Sequence, residues 1–100
     1  MANERLQVDP KTLRLPTSRR DGADPTKLAR HIAKHGKDTS GMPLIEVTRG
    51  KDGELMINSG VTRATRVAKL LPGQLVDVIV IDERPKWDFS PLPTIGDKLP

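Results

Sequence analysis

The residues best suited to chemistry lie where a short apolar run meets a helical pattern, in the segment ELMINSGVTRATRVAKLL. A helix N-terminus leaves backbone N–H groups unpaired and carries partial positive charge, so it attracts anions. Gly60 would let the backbone approach a ligand closely, and the hydroxyl group of Ser59 or Thr62 could donate a hydrogen bond. These residue types in this order predict a site for a phosphate group.

Two arginines in the same segment strengthen that prediction. Arg63 and Arg66 are three residues apart, so we expect both on one helix face, pointing away from the apolar stripe. Cations in the first turns oppose the helix dipole at a cost of roughly a few tenths of a kcal/mol each, unless an anion compensates. The predicted phosphate site comprises Ser59, Gly60, Thr62, Arg63 and Arg66. The alternative is a structural turn, with Ser59 as the helix cap and both arginines solvated.

Two helices are predicted from capping residues and from the spacing of apolar side chains. Asp24-Pro25 is a strong start signal and Gly36 a stop signal, which predicts a first helix over residues 25–35. The second helix is expected from about Val61 to Leu71. The residues on its buried face would be Ala64, Val67, Ala68 and Leu71.

The remaining apolar runs predict a small mixed β-sheet. Part of Leu6–Leu15 alternates weakly, and its flanking prolines indicate an edge strand. Residues 44–59 are expected to form a β-hairpin around the turn sequence GKDG. The nearly continuous apolar run Leu75–Asp82 predicts a central strand buried on both faces. The expected fold class is therefore α+β, a small mixed sheet with two helices.

The composition changes after residue 82, where a proline-rich segment holds both aromatic residues. We interpret residues 1–82 as the domain and residues 83–100 as an extended tail without regular structure. Trp87 and Phe89 are expected to pack on the domain, on a second copy of the chain or on a partner protein. Because a domain of this size has little stability to spare, a homo-oligomer is one expected state.

The composition also excludes several kinds of chemistry. The 100 residues include no cysteine, which removes disulfides, thiolate metal sites and thiol nucleophiles. No apolar segment matches a signal peptide or a membrane span, so we expect a cytoplasmic protein without membrane contact. The net charge of +4 favours a phosphate-bearing partner, although solvated lysines would give the same value. His31 and His35 lack a third ligand at suitable spacing, so no metal site is predicted and no catalytic residue is assigned.

The order of these elements resembles that of the ParB/sulfiredoxin-like superfamily. The matching segments are LPTSRR, DPTKLARHIAKHG, PLIEVTRGKDGELMINSG, VTRATRVAKL and LVDVIVID, within residues 6–82. ParB proteins have a nucleotide-binding G-E-R-R motif at the start of the second helix. Here the stretch is GVTR, which keeps Gly60 and Arg63 and has Val61 and Thr62 between them. Sulfiredoxins carry a reactive cysteine at the position of Val61, so reduction of sulfinic acids is excluded.

The resemblance implies a stand-alone ParB-like domain that binds a nucleotide or the backbone of DNA. If the ligand is a nucleotide, the expected cofactor is a nucleoside triphosphate with Mg²⁺; otherwise none is expected. Arg19 and Arg20 lie in the loop that family members place near the nucleotide or the DNA backbone. The resemblance therefore predicts backbone contacts there, whereas the residues alone are equally compatible with a solvated loop.

Two alternative functions stay open. The first is a small ParB-like nuclease or NTPase, in which Glu46, Asp52 and Glu54 near the hairpin would hold a divalent metal ion. Turn propensity alone explains Asp52, however, since it lies in the KDG turn. The second is a protein-interaction module with a vestigial site, which docks a partner through Trp87 and Phe89.

Overall fold

Four strands form one mixed β-sheet in the order β1-β4-β2-β3. In this computed structural model, which describes residues 3–100, the strands are β1 (Glu4–Val8), β2 (Ile45–Arg49), β3 (Leu55–Ser59) and β4 (Val76–Glu83). β4 pairs antiparallel with β1 and parallel with β2, and β2 and β3 form an antiparallel hairpin. The predictions of a small mixed sheet and of a hairpin between residues 44 and 59 are confirmed.

The two helices are α1 (Pro25–His35) and α2 (Val61–Leu70), which confirms the predicted pair. The side chain of Asp24 accepts hydrogen bonds from the N–H groups of Thr26 and Lys27, as the capping pattern predicts. Short 3-10 turns lie in the connections at Pro10–Thr12, Thr17–Arg19 and Lys51–Gly53, and a further one lies at Gly96–Lys98 in the C-terminal segment. Within residues 3–100, none of the helices is long and apolar enough to cross a membrane.

The core lies between α2 and one face of the sheet. The buried side chains of the strands and of α2 in this cluster are Ile45, Val47, Ile57, Val61, Ala64, Val67, Ala68, Val76, Val78 and Val80. Leu71 packs against them and is partly buried, so the predicted buried face of α2 is observed.

β4 is central in the sheet, but the prediction that both of its faces are buried is wrong. Val78 and Val80 are fully buried, whereas Asp77 and Ile81 on the alternating positions are exposed. A sheet covered by a helix on one face leaves alternate residues of each strand in contact with water. The nearly continuous apolar run in β4 is therefore not evidence that both faces of the strand are buried.

β1 is an edge strand, as predicted, but it ends before Pro10. The chain makes a 3-10 turn over Pro10–Thr12. Leu13 and Leu15 follow it in an irregular segment, and both are fully buried. The predicted strand within Leu6–Leu15 is therefore displaced towards the N-terminus. Leu13 and Leu15, at the end of the predicted range, lie in a loop and pack into the core.

The C-terminal segment folds back over the domain, so the prediction of an extended tail without regular structure is not confirmed. Phe89 and Ile95 are buried, and Ile95 is only 1% exposed. The N–H of Ile95 donates to the carbonyl oxygen of Leu13 (2.9 Å), and the N–H of Leu15 donates to that of Pro93 (2.8 Å). The segment therefore shares the core of the domain that precedes it.

The two aromatic residues have different surroundings. Phe89 packs on its own domain, which is one of the predicted alternatives, while Trp87 is 50% exposed. Their rings meet edge to face with centroids 6.3 Å apart, and the guanidinium of Arg84 lies 5.1 Å from the centroid of the Trp87 ring. Trp87 therefore covers Phe89 on one side and keeps its other contacts at the surface.

Gly50 leaves the space that Phe89 occupies. A Cβ atom at residue 50 would lie 2.6 Å from the Phe89 ring and 2.7 Å from the carbonyl oxygen of Trp87. We expect Gly50→Ala to lower the free energy of unfolding by roughly 1–3 kcal/mol, the range for overpacking a well-packed site. Urea denaturation of the variant and of the wild type measures the difference.

A double-mutant cycle identifies the group that Gly50→Ala displaces. In a Phe89→Ala background the ring is gone, so Gly50→Ala should cost less than it does in the wild type. The same loss in both backgrounds would contradict a clash between the new methyl group and the Phe89 ring.

Candidate anion-binding site

Gly60 joins β3 to α2 and determines the shape of the junction. Its φ is 114°, in the left-handed region that favours glycine. A Cβ atom at this position would lie 3.0 Å from Cγ1 of Ile45 and 3.0 Å from Nη2 of Arg63. The capping position belongs to Gly60 and not to Ser59, and no side chain of the described residues caps the first turn of α2. The N–H groups of that turn are therefore available to a ligand.

A pocket of about 490 Å³ opens over this junction, within the size range of small-molecule sites. It is lined by the end of β3, the first turn of α2, one face of α1 and the turn that ends at Arg19. Its cationic side chains are Arg19, Lys27, Arg30 and Arg63. Among residues 3–100, no carboxylate lines it. The pocket is therefore strongly electropositive.

The side chain of Arg63 folds back over the start of its own helix. Its Nη2 donates a hydrogen bond of 3.3 Å to the carbonyl oxygen of Leu44, which is long for this type of bond. Its Nε atom is buried and has no hydrogen-bond partner in the described part of the chain. Most of the donors of this guanidinium therefore have no hydrogen-bond partner among the described residues.

His31 on α1 lines the same pocket. Its Nδ1 atom is buried without a hydrogen-bond partner among the described residues, and its ring centroid lies 5.1 Å from that of His35. Burial lowers the pKa of His31 below its usual value, and the charges of His35, Arg66, Arg63 and Lys34 lower this pKa further. The surroundings of His31 therefore favour its neutral form.

Four of the five residues predicted for the phosphate site lie together. Ser59, Gly60, Thr62 and Arg63 line the pocket, and Arg19 from the predicted backbone-contact pair joins them. Ser59 is exposed, and Thr62 is half-buried at the start of α2.

Arg20 does not line this pocket but a neighbouring cleft of about 980 Å³ that shares Ser18 and Arg19 with it. The larger cleft carries both signs of charge. Its charged residues are Arg14, Arg19, Arg20, Asp21, Asp24, Asp97 and Lys98. Because the acids oppose an anion there, the smaller pocket is the candidate site.

Arg66, the fifth residue predicted for the phosphate site, is buried outside the pocket, and it is not solvated as the structural alternative expects. It is only 2% exposed, and its Nη1 donates to the carbonyl oxygens of Gly36 (2.7 Å) and Asp38 (2.9 Å). α1 packs against α2, and the chain that leaves α1 covers the helix face on which Arg66 lies. The geometry of Arg66 is that of a residue that stabilises the fold.

The acidic residues considered for a nuclease are not brought together. Glu54 forms an ion pair with Arg14 at 2.8 Å, Asp52 occupies the hairpin turn with φ of 61°, and Glu46 is exposed on β2. Across residues 3–100, no group of three His, Cys, Asp or Glu side chains is arranged to hold a metal ion. The hairpin therefore offers no site of the type that the nuclease alternative requires.

The sequence interpretation missed Lys27, Arg30 and the position of His31 in the pocket wall. These residues are spaced at i, i+3 and i+4 on α1, so they share one helix face. That spacing was the available signal, but only the packing of α1 against α2 brings this face opposite Arg63.

No protein-family model matches the chain, and the comparisons with curated proteins and with solved structures likewise found no match. The resemblance to the ParB/sulfiredoxin-like superfamily therefore stays a prediction from the sequence pattern. The coordinates define a small α+β domain with a four-stranded mixed sheet, two helices and a cationic pocket at a strand-to-helix junction.

Proposed function

We propose that this chain is a binding domain for phosphate-bearing ligands, either a nucleotide or the backbone of DNA. The observation that carries the proposal is the convergence of four cationic side chains and an uncapped helix N-terminus on one pocket. Like charges held close together repel one another, and this repulsion is a cost to the fold. A bound phosphate would relieve the repulsion, and its oxygens would accept hydrogen bonds from the uncapped N–H groups.

The groups at the junction have complementary roles in this proposal. The first-turn N–H groups of α2 and the hydroxyl groups of Ser59 and Thr62 donate to phosphate oxygens. Arg63 supplies charge and further donors from the side, and the absence of a Cβ at Gly60 lets the ligand approach the backbone. Gly60 and Arg63 are also the two residues that match the nucleotide-binding motif of ParB proteins, which supports a nucleotide as the ligand.

The donor set of the pocket fits phosphate and does not fit Mg²⁺. A magnesium ion is held by carboxylates or by phosphate oxygens, and the described lining residues include no carboxylate. Mg²⁺ would therefore have to enter on the phosphates of a nucleotide. The chain itself contributes cations, N–H groups and hydroxyl groups to binding.

Replacing Arg63 tests the proposal. We expect Arg63→Ala to weaken the binding of a nucleoside triphosphate or of duplex DNA by roughly 1.5–3 kcal/mol, the scale of a hydrogen bond to a charged group. The stability of the fold should change little, since the side chain is half-buried and makes a single long hydrogen bond. Calorimetric or fluorescence titrations with and without Mg²⁺ measure the affinity, and urea denaturation measures the stability.

A matched control separates the pocket from net charge. Lys69→Ala removes one positive charge from the exposed end of the same helix, outside the pocket, and should leave the affinity nearly unchanged. Wild-type affinity of Arg63→Ala for every nucleotide and DNA tested would contradict the phosphate site and favour the interaction module. Gly60 is a poor test, because its positive φ and the contact with Ile45 make any substitution disturb the junction.

Salt dependence distinguishes the two ligand classes. Binding to duplex DNA should weaken steeply as salt rises, with a slope of log K against log salt of about −0.9 for each neutralised phosphate. Each of Arg63→Ala, Lys27→Ala and Arg30→Ala should reduce that slope by about one if DNA lies across the pocket. A nucleotide bound only at the α2 junction should depend on Arg63 far more than on the two α1 residues.

A further inference from the structure

Among the described residues that line the cationic pocket, His31 is the one titratable side chain that is neither an arginine nor a lysine. We propose that His31 takes up a proton when a phosphate group binds, so that the site has its highest affinity for phosphate when His31 is charged. This inference rests on the proposed function, since it concerns the same pocket.

The charged groups that surround His31 in the pocket wall and on the adjoining helices are basic. Lys27, Arg30, Lys34 and His35 share its helix, Arg63 and Arg66 lie on α2, and Arg19 lies in the turn that closes the pocket. Asp38 follows α1 but does not line the pocket, and its carboxylate accepts hydrogen bonds from Ser40. An imidazolium at residue 31 therefore has no carboxylate partner in the pocket wall when no ligand is bound.

A bound phosphate favours the protonated form of His31, which the surrounding cations disfavour when no ligand is bound. Its negative charge lies in the same pocket as the ring, so it attracts the imidazolium form and opposes the surrounding cations. Protonation also makes both ring nitrogens donors, and phosphate oxygens are anionic acceptors, of which the described lining residues include none. The doubly charged terminal phosphate of a nucleotide gains more from this change than the singly charged diester of DNA.

The direction of the pH dependence follows from linkage. Because the bound state holds the proton more tightly than the free state, affinity increases as the pH falls through the pKa of the bound state. The increase levels off below the pKa of the free state. Each unit by which binding raises the pKa of His31 adds a factor of ten to the affinity at low pH.

The experiment compares wild type with His31→Gln, using a nucleoside triphosphate as the probe from about pH 8 to about pH 5.5. The phosphates of the free probe titrate in this range, and this contribution is the same for both proteins, so it cancels in the ratio of the two affinities. We expect equal affinities at the high end and an advantage for wild type that grows as the pH falls, approaching about tenfold below the free-state pKa for a pKa rise of about one unit. His35→Gln, which changes a residue outside the pocket lining, should keep the advantage at low pH.

A nuclear magnetic resonance titration of the imidazole gives a second readout that does not depend on affinity. The pKa of His31 should rise when the nucleoside triphosphate is added at saturation, and the rise should be absent in Arg63→Ala at a concentration that leaves its pocket empty. A constant affinity ratio with an unchanged His31 pKa would overturn this inference while leaving the phosphate site intact. No binding of the nucleotide or of DNA to wild type at any pH would overturn the proposed function as well.

Discussion

Arg66→Ala should lower the free energy of unfolding by roughly 3–5 kcal/mol, because it removes two charge-assisted hydrogen bonds worth about 1.5–3 kcal/mol each. The Nη1 atom of Arg66 donates to the carbonyl oxygens of Gly36 and Asp38, at 2.7 and 2.9 Å. Both oxygens belong to the chain that leaves α1. The substitution would leave them without this donor and open a cavity between the two helices.

Three substitutions separate the contributions of Arg66. Arg66→Met retains most of the side-chain volume but none of the hydrogen bonds, so it should be nearly as destabilising as Arg66→Ala. Arg66→Lys keeps the positive charge on a single ammonium group, so it should lose less stability than Arg66→Ala. Lys69→Ala, at an exposed position on the same helix, should change stability by less than about 0.5 kcal/mol. Urea denaturation at fixed pH measures all three.

Ligand affinity tests whether Arg66 also contributes to the phosphate site. Because its side chain lies outside the pocket, a folded Arg66→Lys variant should bind a nucleoside triphosphate as wild type does. A loss of affinity as large as that of Arg63→Ala, without a loss of stability, would show that Arg66 contributes to the phosphate site. Stability and affinity therefore assign the two arginines of α2 to different roles.

Local signals in the sequence were sufficient to predict both helices and the β-hairpin. Asp24, Pro25 and Gly36 fix both ends of α1 because caps and breakers act through backbone groups a few residues away. Gly60 marks the junction for the same reason, since its backbone conformation is one that other residues rarely adopt. These features depend on neighbours in the chain, so a single sequence contains them.

Features that depend on packing between distant segments could not be predicted in the same way. Arg66 has the residue type of a solvent-facing side chain, and only the position of α1 decides that its partners are backbone carbonyls. The pocket depends equally on this contact, because it places Lys27 and Arg30 of α1 opposite Arg63 of α2. Proline content likewise indicated an extended segment but not the surface against which it would pack.

The C-terminal segment provides the second large effect, because its burial makes it part of the folding unit. We expect Ile95→Ala to lower the free energy of unfolding by about 2–5 kcal/mol, the range for truncating a fully buried isoleucine. A domain of this size has roughly 5–15 kcal/mol in total, so the variant would lose a large share of its stability.

The size of the Ile95 effect distinguishes a folded segment from a detached tail. Leu75→Ala is the matched control, since Leu75 is 50% exposed and its truncation should cost far less. Hydrogen exchange gives a parallel readout. The N–H of Ile95 donates to the carbonyl oxygen of Leu13, and the N–H of Leu15 donates to that of Pro93. Both amides should exchange as slowly as the amides of β4. Equal stability losses for Ile95→Ala and Leu75→Ala, with fast exchange at residue 95, would show that the segment does not belong to the core.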